Sequence, residues 1–248
     1  MLNIVIPMAG AGSRFADAGY KDPKPLIPVH GRAMIQVVIG NLTPSIPHRF
    51  IFICQKEHVE AHDLRSKLSV WAPDCAIVEI DGMTEGAACT VLAAKALINN
   101  DCPLMIANSD QFVDININDY LGALRNSDWE GLIMTMRADD PKWSYVGLDT
   151  NSLVTHVVEK EVISDEATVG IYNFCHGCSF VQAAEEMIVK DQRVNGEFYV
   201  APTYNSLISS GNKVGIYNVG SEGAGMYGLG IPPDLEAFLA LPLSRRLN

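Results

Sequence analysis

The chain has 248 residues, 48% of them hydrophobic and 19% charged, which is enough apolar material for a full core and excludes a solvated tail or linker. Its formal net charge of -11 excludes a broad nucleic-acid surface, which needs a basic face, but leaves room for a small anionic ligand held by a few local cations. No stretch reaches the apolar length that crosses a membrane, and the N-terminus enters an apolar run without a basic leader, so a soluble, cytoplasmic protein with no membrane or nucleic-acid partner is expected.

Residues 2–6 are too short for a stable helix and suit a buried strand. The segment Met8-Ala9-Gly10-Ala11-Gly12-Ser13-Arg14-Phe15 follows. Gly10 and Gly12 can take positive φ and carry no Cβ, so the backbone N–H groups of residues 9–13 can turn toward an anion. Arg14 adds a planar fork suited to phosphate oxygens, and Lys24 adds a compact charge. Pro23 and Pro25 flank Lys24 and predict a stiff, extended presentation. Together these residues predict a phosphate cradle. It is not a dinucleotide fingerprint, because Phe15 stands where a third small residue belongs and Cys54-Gln55 where an acid belongs. It is not a Walker A loop either, because Gly12-Ser13-Arg14 lacks the closing Gly-Lys-Ser/Thr.

Further along, residues 50–54 and 76–80 read as buried strands joined by a helix over 58–70, and a helix over 86–97 precedes a strand over 104–107. Such alternation predicts right-handed crossovers and a mostly parallel sheet. Asn108-Ser109-Asp110 closes the strand over 104–107, placing Asp110 on the same sheet edge as the glycine turn, where an Asp can hold Mg²⁺ against a triphosphate. At the matching edge of the preceding unit, Asp81-Gly82-Met83-Thr84-Glu85-Gly86-Ala87-Ala88 offers small residues over which a flat base can lie, with Glu85 or Asp81 as acceptors at its edge. The plainer alternative is that Thr84 caps a close-packed helix. In the second half, strands over 131–136, 145–148, 154–159 and 167–174 lie close together and predict an antiparallel or mixed addition. Residues 179–190 form an amphipathic helix with Phe180, Ala183, Ala184 and Met187 on one face. Of the six cysteines only Cys175 and Cys178 have a paired spacing, and a lone CxxC reads as structural, with reduced thiols.

The block Gly10 to Phe15 followed by Pro23-Lys24-Pro25-Leu26-Ile27-Pro28-Val29 resembles the nucleotidyltransferases that join a nucleoside triphosphate to a sugar 1-phosphate or related phosphate. The Ser-Arg-Phe ending is closer to small capsule or lipopolysaccharide and cytidylyltransferase-like members than to the Gly-Thr-Arg-Leu form. The resemblance implies a glycosyltransferase-A-type three-layer α/β/α fold with a small antiparallel acceptor-side extension. It also implies one catalytic domain over 1–248, with a nucleotide half to about 130, an acceptor half beyond it and no C-terminal β-helix. Carried over residue by residue, Arg14 and Lys24 are catalytic, while Ala9, Gly10, Gly12, Ser13, Asp81, Glu85, Gly86 and Ala87 bind the nucleotide. Asp110 holds the metal, and Tyr145, Gly147, Glu159 and Lys160 surround the acceptor, Lys160 at its phosphate and Glu159 at a sugar hydroxyl.

Two positions depart from the family pattern. Pro202 stands where many relatives carry a second metal-binding Asp, leaving Glu197 as a candidate, and Gly228-Leu229-Gly230-Ile231-Pro232-Pro233-Asp234 lacks its leading Asp. The expected activity is Mg²⁺-dependent nucleotidyl transfer from an NTP to a phosphorylated acceptor, with pyrophosphate released to supply surface-polysaccharide synthesis. A cytidylyltransferase for a non-sugar phosphate and a nucleotide-sugar-dependent glycosyltransferase are the rivals. The base, the acceptor and the oligomeric state are open.

Overall fold

The computed structural model describes residues 1–247; Asn248, inside the expected domain span, lies outside the described residues. The strands of its main sheet are β1 (Leu2–Pro7), β2 (His48–Gln55), β3 (Ala76–Ile80), β4 (Leu104–Ala107), β5 (Gln111–Val113), β6 (Gly131–Arg137), β7 (Ser144–Leu148), β8 (Val154–Glu159), β9 (Glu166–Phe174), β10 (Val214–Glu222) and β11 (Gly225–Gly228). The helices are α1 (Ser13–Asp17), α2 (Met34–Leu42), α3 (Lys56–Ala61), α4 (Leu64–Trp71), α5 (Ala87–Leu92), α6 (Lys95–Ile98), α7 (Ile117–Arg125), α8 (Gly177–Val189), α9 (Tyr204–Ser209) and α10 (Pro232–Ala240).

These eleven strands join one sheet, in the order β3-β2-β1-β4-β9-β6-β10-β11-β5, with β7 pairing both β8 and β9, while Pro28–Val29 and Arg32–Ala33 form a separate antiparallel ribbon. The first four are parallel, as the helix-strand alternation predicts. Strand β9 then runs antiparallel to β4 and to β6, which makes the sheet mixed at the start of the second half. Along β1 the side chains alternate between faces: Ile4 and Ile6 pack with Phe50, Phe52 and Ile35 on one side, while Val5 packs with Ile51, Ile53, Val91 and Phe180 on the other. Helices thus cover both faces, the α/β/α arrangement of a glycosyltransferase-A-type fold.

Two long helices expected from periodicity are broken. The stretch 58–70 divides at Asp63, whose φ of 48° leaves the right-handed helical region. The stretch 86–97 divides at Ala93-Ala94, between α5 and α6. Helix α8 begins at Gly177, and its predicted apolar residues Phe180, Ala183, Ala184 and Met187 are all buried. Cys175 and Cys178 are free thiols, donating to Trp129 O at 3.1 Å and Asp101 Oδ1 at 3.7 Å, as a structural reading of that pair requires.

Candidate active site

The carboxyl ends of β1 and β4 open on the same edge and bring the glycine turn, Lys24 and Asp110 together. Met8 N still donates to Ile53 O at 2.9 Å, but among the described residues the N–H groups of residues 9–12 have no partner within the chain. Those donors are free for an anion. Gly12 takes φ 61°, and a Cβ there would sit 3.3 Å from the Lys24 Cβ, so the turn lies directly against the lysine backbone. Below the turn, Phe15 is buried with Ile27, Val29, Phe112, Leu229 and Phe238. Lys24 opens a 3-10 turn, Lys24–Leu26, instead of the expected extended run. A proline in the first turn forfeits no hydrogen bond that the turn needs, so Pro25 is accommodated there. The Lys24 ammonium lies 2.8 Å from Asp110 Oδ2, with both side chains 22% exposed.

These groups face a cleft of about 440 Å³. Arg14, Lys24 and Lys160 line it with Asp110, and so do residues to which the sequence assigned no role: Asn108, Gln111, Lys142, Trp143 and Asp234. Asp234 lies in the first turn of α10, and burial and the nearby Glu222 raise its pKa against the opposing pull of Lys142 and Arg14. Two glycines make the approach possible. A Cβ on Gly228 would come within 3.1 Å of Asp234 Oδ2, and one on Gly230 would collide with Asp110 Oδ2. Gln111 and Trp143 also carry buried donors, Nε2 and Nε1, without partners among the described residues.

A second cavity of about 250 Å³ adjoins the first and is lined by Ser144, Glu159, Lys160, Thr168, Tyr172 and Tyr199. Lys160 takes a left-handed φ of 61° at the end of β8, and its ammonium lies 3.6 Å from Glu159 Oε1 and 5.6 Å above the Tyr199 ring. Burial, with Glu197 and Glu159 nearby, pushes the Tyr199 phenol up to about 12. Tyr145 and Gly147 do not line either cavity. Tyr145 is fully buried with its hydroxyl donating to Asp140 O at 2.8 Å, and a Cβ on Gly147 would strike the His156 ring. Alternation along β7 puts Ser144, not its neighbour, toward the smaller cavity, so the tyrosine-glycine element expected at the acceptor stands apart from it. Glu197 is exposed beside Tyr199 and acts electrostatically on Glu159, both of which line the smaller cavity.

Glu159 is 7% exposed and accepts a hydrogen bond from Ser144 Oγ. Burial raises its pKa above the ordinary 4.5, outweighing the opposing Ser144 hydrogen bond and the Lys160 charge. The folded chain therefore keeps this proton in a window where the unfolded chain has released it, and stability falls as pH rises from 4.5 through the raised value. Glu159→Gln keeps an acceptor for Ser144 and removes the titration. Urea midpoints of the variant are expected to decline less than those of the wild type as pH rises from 4.5, and parallel curves would refute the assignment.

The loop after β3 is built differently from a base platform made by glycine. Gly86 has φ 126°, and a Cβ there would lie 2.5 Å from both the N and the O of Phe198, so its missing side chain admits the protein's own backbone. Ala87 lines the smaller cavity. Glu85 is held by Arg193 at 3.1 Å, and Thr84 Oγ1 donates to Gly86 O at 3.0 Å. Asp81 is exposed and borders a separate shallow depression with Lys56, Glu57 and Glu60, outside both cavities. Gln55, at the end of β2, ties this loop to the phosphate turn: its amide donates to Ala9 O at 2.8 Å and to Gly82 O at 2.7 Å. Ala9 is thereby fixed through its carbonyl, while Gly10 stays exposed with open space where its Cβ would be.

Comparison with known proteins gives a consistent result. A family model described as nucleotidyl transferase matches residues 4–204. The bifunctional protein GlmU of Methanococcus maripaludis is 23% identical over 222 residues, covering 87% of this chain and 49% of that protein. The chain therefore spans about half the length of that curated relative. The crystal structure of a nucleoside-diphosphate-sugar pyrophosphorylase from Vibrio cholerae RC9 superposes with a TM-score of 0.80 and 26% identity, covering 96% of this chain and all of that one. A UDP-glucose pyrophosphorylase complexed with UDP-glucose shares the fold at a TM-score of 0.75 and 15% identity, covering 96% of this chain and 97% of its own.

Proposed function

The chain belongs to the nucleotidyl transferase family, and from that membership we propose that it transfers a nucleoside monophosphate from an NTP to a phosphorylated acceptor of the sugar 1-phosphate type. The observation that carries this reading is the pair of adjoining cavities, one walled by the glycine turn, Arg14, Lys24 and Asp110, the other by Glu159 and Lys160. An acceptor phosphate oxygen, already anionic, forms a bond to the α-phosphorus. The bond from that phosphorus to the α,β-bridging oxygen breaks, and its electron pair leaves with pyrophosphate. No protein nucleophile is needed, so catalysis is positioning and charge neutralisation. Arg14 meets the leaving β,γ-phosphates, Lys24 the charge gathering at the α-phosphate, Lys160 the acceptor phosphate and Glu159 an acceptor hydroxyl.

Mg²⁺ is the cofactor this reading calls for. Among the described residues no three His, Cys, Asp or Glu side chains gather into a metal cluster. A cation at Asp110 would thus take most of its ligands from phosphate oxygens and water, the donor set that Mg²⁺ prefers, and Asp234 is the second acid facing the same cleft. When bound, the ion neutralises triphosphate charge.

The deciding experiment incubates the protein with each NTP, Mg²⁺ and a panel of phosphorylated acceptors and measures pyrophosphate. Release dependent on one NTP and one sugar 1-phosphate is expected, and such a product would serve as an activated precursor for surface polysaccharide. Release only with a non-sugar phosphate would reassign the acceptor. Absence of release with every pair would overturn the proposal.

A further inference from the structure

Lys142 belongs to the loop between β6 and β7, and the family resemblance gives it no role. With Asn108, Trp143 and Lys160 it lines both cavities, so it stands where the two substrates meet in the proposed transfer, the reading on which this inference rests. Its ammonium lies 3.0 Å from each carboxylate oxygen of Glu222 and 3.6 Å from Asp140. Burial alone would lower its pKa, but Glu222, with Asp140 and Asp234, outweighs burial and holds it above the ordinary value. The partnership with Glu222 is nevertheless exposed, at 46% for the lysine and 39% for the glutamate. Ion pairs of that kind are weak and readily exchanged. The loop around it is fastened from below: Lys160 Nζ donates to Lys142 O, and Lys160 N donates to Trp143 O at 3.1 Å. Beside it the buried Trp143 Nε1 has no partner among the described residues.

We propose that Lys142 is a charge-neutralising residue of the transfer, parked on Glu222 until phosphate arrives and then exchanged onto phosphate oxygens at the junction of the two cavities. A phosphate dianion concentrates more charge than a hydrated carboxylate and displaces it from the ammonium. Glu222 then competes with substrate. This competition separates the idea from a merely structural ion pair, because removing the lysine and removing the glutamate must act in opposite directions.

The probe is inorganic tripolyphosphate with Mg²⁺, titrated calorimetrically into the full chain. Lys142→Ala is expected to weaken binding about tenfold, Lys142→Arg to stay within about threefold of wild type, and Glu222→Gln to tighten it about threefold. In the Lys142→Ala background, Glu222→Gln should have no effect. If Glu222→Gln weakens binding or leaves it unchanged, or if Lys142→Ala leaves it unchanged, the exchange does not occur. In turnover, Lys142→Ala should lower kcat as well as raise acceptor KM, with unfolding midpoints showing that the variants are folded. A wild-type protein that releases no pyrophosphate with any substrate pair would remove the reaction assigned above, while the opposed binding shifts would still decide the exchange.

Discussion

Replacing Lys24 by alanine is expected to reduce pyrophosphate release by about 10²–10³ while leaving the protein folded, the scale on which loss of one preorganised charge-stabilising donor acts. Three features make this lysine costly to lose. Its backbone is pressed against the phosphate turn at Gly12, its segment is stiffened by prolines, and its ammonium is fixed at 2.8 Å from Asp110. It is therefore presented to ligand with little freedom to surrender, and no water can reproduce the charge at that point. The stability effect should be small by comparison. At 22% exposure the Lys24–Asp110 pair is still hydrated, and deleting it should cost about 1 kcal/mol or less. Pyrophosphate assays and urea unfolding on the same preparation separate the two effects. Near-normal release would remove Lys24 from the chemistry, and a collapsed unfolding midpoint would recast it as a structural residue.

Gly86→Ala should do the opposite and damage the fold before the chemistry. Its φ of 126° is a conformation that alanine adopts only under strain, and its Cβ would meet the Phe198 N and O at 2.5 Å. Neither obstacle is the yielding end of a side chain. Phe198 N donates to Glu85 O at 2.8 Å and Ala88 N to Phe198 O at 3.0 Å, so the two segments are laced together on both sides of the glycine. Backbone strain and overlap together predict a loss of about 3 kcal/mol or more in urea unfolding. Gly10→Ala is the control: nothing lies within 4 Å of its Cβ position, and stability should change by less than about 0.5 kcal/mol. Equal behaviour of the two variants would refute this account of the loop.

Much of the larger cleft was legible in the sequence because its determinants are local. The apolar runs at 2–6, 50–54, 76–80 and 104–107 became parallel strands, and the turn, Lys24 and Asp110 follow from where those strands end. The smaller cavity was harder for a physical reason. Neighbouring residues of a strand point to opposite faces, and Tyr145 and Gly147 stand on the face opposite Ser144, which lines that cavity. Lys142 and Asp234 could not be found by spacing at all. Lys142 sits in a loop whose shape depends on Lys160, eighteen residues further on. Asp234 reaches the cleft only because β11 pairs with β5 and carries α10 to the edge occupied by Asp110. Asp81 stands apart from both cavities for a related reason: it lies at the expected end of the sheet, but the bend held by Gln55 and Gly82 places it beside a separate depression.

The stretch matched by the family model ends at residue 204, but the cleft does not. Gly228, Gly230 and Asp234 close its far wall, and Leu229 and Phe238 bury Phe15 beneath the phosphate turn. A fragment cut at the limit of the match would contain the first four parallel strands and the lining residues of the smaller cavity, but would lose β10, which pairs parallel to β6, together with the wall and part of the floor of the larger one. The boundary of the family match and the boundary at which the larger cleft is complete are therefore more than twenty residues apart. Any dissection, domain graft or split-protein complementation of this chain has to respect the second.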